Sequence, residues 1–177
     1  CYNLKTITGY EGLESLGKGA FSACQVLESF DLTKTKVTGA LPDNLFMRCN
    51  ALTEITIPKG ITSLGTACFS SCTGLTSVTF EAGSQIPEIP NTLFSGCSAL
   101  TTINNIPSTI TKIGDWAFGN TNSLTTLTVP ANVASLGYLM FNGCDAASKT
   151  IKYKGSSTQW AAITKDEKWD HKSSSST

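Results

Sequence analysis

The sequence predicts a repeat solenoid, a stack of short parallel β-strands joined by turns, mostly β and irregular with little helix. Three observations carry this. Six of the eight Phe recur at positions 21, 46, 69, 94, 118 and 141, with spacings of 25, 23, 25, 24 and 23 residues. Around each Phe the same apolar, Cys and Gly positions repeat. Ser and Thr make up 45 of the 177 residues while charged residues are only 15%, a composition poor in the Glu, Lys and Arg that helical bundles use.

The elements follow from the register. Three residues after each Phe stand Cys24, Cys49, Cys72, Cys97, Thr121 and Cys144. Three further on come Leu27, Leu52, Leu75, Leu100 and Leu124, then Phe30, Ile55, Val78, Ile103 and Leu127. Leu32, Ile57, Phe80 and Val129 often follow two later, and Pro58, Pro107 and Pro130 close three segments. The period of two at the end of this L-x-x-I-x-I piece predicts a short parallel strand. Five residues before the Phe lie Leu16, Leu41, Leu64, Ile89, Ile113 and Leu136, followed by Gly at Gly17, Gly65, Gly114 and Gly137. This I-x-x-I-G segment predicts a second extended element. The A-F-x-x-C stretch is too short for a stable helix and predicts a turn or a 3₁₀ piece. A unit of about 24 residues cannot bury its own apolar face, whereas stacked copies share one core.

The motifs Ala20-Phe21-Ser22-Ala23-Cys24, Ile61-Thr62-Ser63-Leu64-Gly65 and Leu124-Thr125-Thr126-Leu127-Thr128-Val129-Pro130 closely resemble the BspA-like, or treponemal-type, leucine-rich repeat. The resemblance covers residues 1–154. It implies a curved, right-handed solenoid on a secreted or surface-exposed bacterial protein, used for adhesion and interaction and not for catalysis. Departures are Thr121 in the Cys slot, Cys68 in place of Ala before Phe69, a poor fit from Asp31 to Leu41, and an off-register last copy. In that copy Ala147 takes the Leu slot, and Ile151 and Tyr153 come one residue late.

Three segments result: repeats over 1–154, about six coils with the first incomplete; a cap over 155–170; and a Ser-rich tail over 171–177. Cys1 stands 23 residues before Cys24, with Leu4 and Ile7 at the ladder offsets. It reads as the Cys of an incomplete preceding repeat, with a further Phe expected about three residues upstream; a lipidated N-terminal Cys is the alternative. Leu4 to Thr8 would then form an exposed strand edge. Ser156 or Ser157 is placed to N-cap a short helix whose Trp160 and Ile163 share a face over the last coil. The Y-K-G-x-x-x-Q-W ending at Tyr153–Trp160 resembles the C-terminal caps of the same family, and Trp169 adds to the lid.

Composition also excludes functions. Net charge is zero and the pI is 6.7, so no global field attracts nucleic acid or anionic lipid. Apolar runs are too short for a membrane-spanning helix. The only His is His171, no Cys pair is spaced as C-x-x-C, and neither a metal site nor a cofactor is expected. A nucleophile lacks a base, no Gly-x-Ser-x-Gly, Walker or Gly-x-Gly-x-x-Gly motif occurs, and carboxylates such as Asp166 and Glu167 read as solvated. No catalytic residue is assigned.

Two features remain. The structural ladder of Cys1, Cys24, Cys49, Cys72, Cys97 and Cys144 points inward as small apolar groups whose S–H satisfies loop carbonyls. Disulfides between coils are allowed by distance but opposed by parallel side-chain directions, and Cys68 and Cys72 are close enough to approach each other. On the strand face, outward positions are Thr6, Thr8, Ser29, Asp31, Glu54, Thr56, Ser77, Thr79, Thr102, Asn104, Thr126, Thr128, Thr150 and Lys152. The candidate binding residues among them are Thr56, Ser77, Thr79, Thr102, Asn104, Thr126 and Thr128. They read either as β-branched surface filler or as a hydroxyl-rich concave face that hydrogen-bonds a partner. Thr-x-Thr rows are similar to flat ice-binding solenoids, but Asp31, Glu54 and Lys152 break them. Trp116 and Tyr138 are candidate exposed hot spots or core residues. The expected function is a non-catalytic extracellular or cell-surface module that binds a host or bacterial surface protein or a glycan. The alternative is a rigid stalk displaying other domains.

Overall fold

Two strands per coil alternate along the chain. This computed structural model describes residues 1–144, 149–166 and 168–170; the expectations for Ala147, Glu167 and the tail at 171–177 fall outside them. A 3₁₀ turn at Leu32–Lys34 is followed by β1 (Gly39–Leu41), β2 (Glu54–Ile57), β3 (Ile61–Leu64), β4 (Ser77–Phe80), β5 (Glu88–Ile89) and β6 (Thr102–Asn104). Then come β7 (Lys112–Ile113), β8 (Thr126–Val129), β9 (Ser135–Leu136), β10 (Thr150–Tyr153), helix α1 (Ser157–Ala162) and β11 (Thr164–Lys165). Every pairing among the described residues is parallel. Even strands, from L-x-x-I-x-I, form β2–β4–β6 and β8–β10; odd strands, from I-x-x-I-G apart from β11, form β1–β3 and β5–β7–β9–β11. Among the described residues no helix is long and apolar enough to cross a membrane.

The period-two pattern explains the even strands. Ile55 and Ile57 are buried while Glu54 is exposed and Thr56 half-buried, so alternate side chains face the core. The A-F-x-x-C stretch makes successive turns, with Cys49 N–H on the Phe46 carbonyl at 3.0 Å and Cys97 N–H on that of Phe94 at 3.0 Å. The residues two before and two after the ladder Phe adopt positive φ: Asn44 and Arg48, Ala67 and Ser71, Thr92 and Gly96, Trp116 and Asn120. For a non-Gly residue this costs about 1–2 kcal/mol. The turned peptides then aim their N–H groups along the stack. Phe46 N–H reaches the Cys68 carbonyl at 2.8 Å, Arg48 that of Ser70 at 2.8 Å, and Phe94 that of Ala117 at 2.9 Å. These bonds donate forward to the next coil. On the strand side Thr76 N–H donates backward to Thr53 at 2.8 Å.

Inside, the Phe rings stack from coil to coil. Centroids of Phe21–Phe46, Phe46–Phe69, Phe69–Phe94 and Phe94–Phe118 lie 5.3, 5.7, 5.8 and 5.9 Å apart, and Phe118–Phe141 5.8 Å. Close approach also explains the Gly after the odd strand. A Cβ on Gly137 would stand 2.5 Å from the Gly114 carbonyl carbon and 2.6 Å from Asp115 N, inside contact distance. Beside it runs a ladder of carboxylate and amide side chains that the repeat pattern did not reveal. Asp43 accepts from Thr66 N–H at 2.9 Å, Asn91 from Asp115 N–H at 3.0 Å, and Asp115 from Tyr138 N–H at 2.8 Å. The Lys18 ammonium, then the Thr66 N–H, hold the Asp43 carboxyl below its ordinary value.

After β10 the chain turns into α1 and β11. Ser156 accepts from Gln159 N–H at 3.1 Å while the Gln159 side chain accepts from Ser156 N–H at 2.8 Å, a reciprocal capping box. Ile163 is buried, and Trp160 packs between Tyr153 at 5.3 Å and Trp169 at 5.8 Å. The Lys165 ammonium donates to the Trp160 and Ile163 carbonyls at 2.6 and 3.2 Å, and β11 joins the odd sheet beside β9.

Two segments depart from the sequence expectation. Leu4–Thr8 and Leu27–Leu32 form no strand. Tyr10 stacks on Phe30 at 4.6 Å and its hydroxyl accepts from Asp31 N–H. Asp31 then caps the 3₁₀ turn through Thr33 N–H at 3.0 Å, which diverts the backbone from pairing. The even sheet also breaks, because β6 and β8 share no ladder although the odd sheet runs on through β5–β7–β9. Coil length accounts for this. Ile103-Asn104-Asn105-Ile106-Pro107 has one residue more than Ile55-Thr56-Ile57-Pro58 or Leu127-Thr128-Val129-Pro130, and Asn105 sits at φ 55°, as an inserted bulge residue does. Ile103 and Ile106 are only half-buried, whereas Ile55, Ile57, Leu127 and Val129 are buried.

Phe94, in mid-stack, is fully buried, while Phe21 is half-buried. Phe94→Ala should cost about 3–5 kcal/mol in chemical denaturation, and Phe21→Ala less than half of that. Equal costs would show that the ring stack does not hold the coils together.

Candidate functional site

The even strands present the candidate residues in two registers. Thr56, Thr79 and Asn104 are aligned across β2, β4 and β6, as are Glu54, Ser77 and Thr102. Thr102 and Asn104 are exposed, whereas Thr56, Ser77 and Thr79 are half-buried between their neighbours. The Asn104 amide donates to Thr79 Oγ1 at 3.3 Å. Thr126 and Thr128 align with Thr150 and Lys152 instead, so the break beside β6 divides the expected hydroxyl face into two parts. Sequence reasoning missed the neighbouring row after each ladder Leu. Thr76 Oγ1 donates to the Thr53 carbonyl at 2.9 Å and Thr101 Oγ1 to that of Thr76 at 3.1 Å. Those hydroxyls tie coils together, and the repeated Leu-Thr pairs at 52–53, 75–76 and 100–101 were their signal.

The cysteines sit inside. Cys24, Cys49, Cys68, Cys72, Cys97 and Cys144 are buried, and all seven are free thiols. Cys49 donates to the Phe21 carbonyl at 3.1 Å, Cys72 to that of Phe46 at 3.0 Å, Cys97 to that of Phe69 at 3.1 Å and Cys144 to that of Phe118 at 3.4 Å. Each S–H thus reaches back one coil to a carbonyl that already accepts a turn N–H. Thr121, buried in the same slot, turns to its own coil and donates to the Phe118 carbonyl at 2.7 Å. Cys1 departs from the inward-facing expectation: it stands at the open end of the stack and is exposed. Among the described residues no three His, Cys, Asp or Glu gather as a metal site.

The family model for the BspA type leucine rich repeat region matches six copies, over residues 1–86 and 39–162. The chain belongs to the BspA-type leucine-rich repeat family. Among solved structures, a leucine rich cell surface protein of Faecalibacterium prausnitzii is similar at 25% identity and TM-score 0.68, over 85% of this chain and 48% of that one. A leucine-rich repeat protein of Eubacterium ventriosum is similar at 27% identity and TM-score 0.57, over 72% of this chain and 39% of that one. The T. pallidum leucine rich repeat protein shares the fold at 20% identity and TM-score 0.61, over 83% of this chain and 70% of that one. This BspA-type chain therefore spans about half or less of the first two structures. A search of curated proteins finds no significant match.

Two hollows flank the BspA-type strand face. One, of about 410 Å³, lies among Tyr10, Asp31, Thr33, Lys34 and Glu54. The other, of about 340 Å³, lies at the sheet break among Ile103, Asn104, Asn105, Ile106, Thr128 and Lys154. At one end of the face Asp31 pairs with Lys34 at 3.9 Å beside Glu54, and at the other stand Lys152 and Lys154. Trp116 is half-buried and Tyr138 38% exposed. They meet through Trp116 N–H on the Tyr138 carbonyl at 3.0 Å, on the turn side and away from the strand face.

Burial pushes the Cys49, Cys68 and Cys97 thiols from 9.0 up to about 12, and raises Cys72 well above its ordinary value. Thiols raised in the folded state contribute stability fully present below pH 9 and lost as pH climbs toward 12. The denaturation midpoint should hold up to about pH 9 and fall between pH 9 and 12, with a smaller fall in Cys49→Ala/Cys97→Ala. An unchanged alkaline fall in that variant would remove the thiols from the cause.

Proposed function

We propose that this chain is a non-catalytic binding module of a bacterial cell-surface or secreted protein, engaging a surface protein or glycan through its even-strand face. The observation that carries this is the register of Thr56, Thr79 and Asn104 beside Ser77 and Thr102. It forms a continuous patch of hydrogen-bonding groups on paired, rigid strands. Membership of the BspA-type family and likeness to a protein described as a leucine rich cell surface protein support the location. Solenoids use such extended faces for recognition. Lys152 and Lys154 at one end favour acidic groups on a partner and set orientation more than affinity. A structural stalk remains the competing reading, and it makes no demand on the face.

The two readings separate in a binding screen of this chain against immobilised matrix proteins, mucins and glycans. For any partner found, Thr79→Lys/Thr102→Lys should weaken binding at least about tenfold, equivalent to roughly 1.4 kcal/mol, with the folded state intact by thermal melt. A stalk would bind nothing, or would bind equally well with the lysines in place.

A further inference from the structure

The break between β6 and β8 has unpaired strand edges on both sides. Thr102 N–H donates to the Thr76 carbonyl at 3.3 Å and Thr150 N–H to that of Thr125 at 2.7 Å. Thr126 N–H, in the equivalent place, has no such backbone acceptor among the described residues. Below the break the coils stay in contact: Phe94 and Phe118 are 5.9 Å apart and Gly96 N–H reaches the Gly119 carbonyl at 2.7 Å. Above it the hollow of about 340 Å³ opens between Ile103, Asn104, Asn105 and Ile106 on one wall and Thr128 and Lys154 on the other. Exposed strand edges without partners are templates for a pairing backbone.

We propose that this slot receives an extended peptide of a partner protein as an added parallel strand between β6 and β8. Main-chain bonds to the two facing edges provide affinity, and alternate side chains provide selectivity. An apolar side chain of the peptide packs on Ile103 and Ile106, which the bulge leaves half-buried where equivalent residues are covered. An acidic side chain meets Lys154, which is exposed and makes no ion pair among the described residues, with Lys152 next to it on the same strand end. An oligosaccharide has no row of N–H and C=O groups to offer both edges. This rests on the reading of the even-strand face as a binding surface, and it names the partner as a polypeptide.

The test uses fluorescein-labelled octapeptides that alternate Val or Ile with Asp, Glu or Thr, followed by fluorescence polarisation with the whole chain. Saturable binding is expected, weakened at least about tenfold by N-methylating alternate peptide amides and several-fold by Lys154→Glu. Deleting Asn105 restores the coil length of the neighbours and should abolish binding. The N-methylated pair needs no protein variant, so a misfolded deletion does not decide the matter. Equal binding of N-methylated peptides, no saturation by any peptide, or binding only by an oligosaccharide panel would each overturn the proposal. Peptide failure alongside a surface partner still lost in Thr79→Lys/Thr102→Lys would sink strand addition alone. Peptide binding with no surface partner in the wider screen would keep the slot and sink the adhesion reading.

Discussion

Every coil must sit about one strand spacing from the next, and the Phe stack together with the forward backbone bonds sets that distance. The ring separations of 5.3–5.9 Å stay nearly constant from Phe21 to Phe141 although coil lengths vary from 23 to 25 residues. The turn side tolerates no variation, because each A-F-x-x-C unit must place its left-handed residues in phase with the unit before it. Length differences are absorbed elsewhere. The coil between Phe69 and Phe94 takes its extra residues in the loop from Glu81 to Gln85, and there the odd sheet is interrupted between β3 and β5. The coil between Phe94 and Phe118 takes its extra residue within the strand segment, at Asn105, and there the sheet opens.

The same constraint gives the thiols their place. The Phe carbonyl on the turn side accepts the Cys N–H of its own coil and still has a lone pair directed along the stack. A small, weakly polar donor in the next coil fits that position without demanding water or a second partner. Thr121 occupies the slot but spends its hydroxyl on Phe118 in its own coil, with Cys144 Sγ 3.7 Å away. Hydroxyl and thiol are thus interchangeable in volume here but not in direction. Function is left to the opposite side, where Thr and Asn side chains project from strands whose backbone is already held.

Much of the architecture was legible because it repeats. The Phe register located the turns, the period-two Ile55-Thr56-Ile57 pattern located an even strand, and Ser156 or Ser157 placed the start of the short helix. What escaped has physical reasons. The left-handed residues beside the ladder Phe are Ala, Asn, Arg, Ser, Thr, Trp, Leu and Gly in different coils, so no single residue type announces the conformation. The Asp43, Asn91 and Asp115 ladder depends on coil-to-coil juxtaposition, which a linear reading does not show. Leu4–Thr8 satisfies the strand pattern yet forms no strand, keeping only the Glu28 N–H bond to the Lys5 carbonyl at 3.2 Å, while the Tyr10 hydroxyl takes the Asp31 N–H across the first coils. For the candidate face, the outward positions were readable from alternation alone. The division of that face needed the single added residue at Asn105 to be weighed against its neighbours.

The central claim is that a closed turn side coexists with an open strand side at one coil. Residue-resolved amide hydrogen exchange on the free chain tests this most directly. The account predicts that Phe94 and Gly96, bonded forward to Ala117 and Gly119 at 2.9 and 2.7 Å, exchange as slowly as Phe69 and Ser71, while Thr128 exchanges far faster than Thr79. Comparable protection of Thr128 and Thr79 would contradict it, since the even sheet would then be continuous in solution.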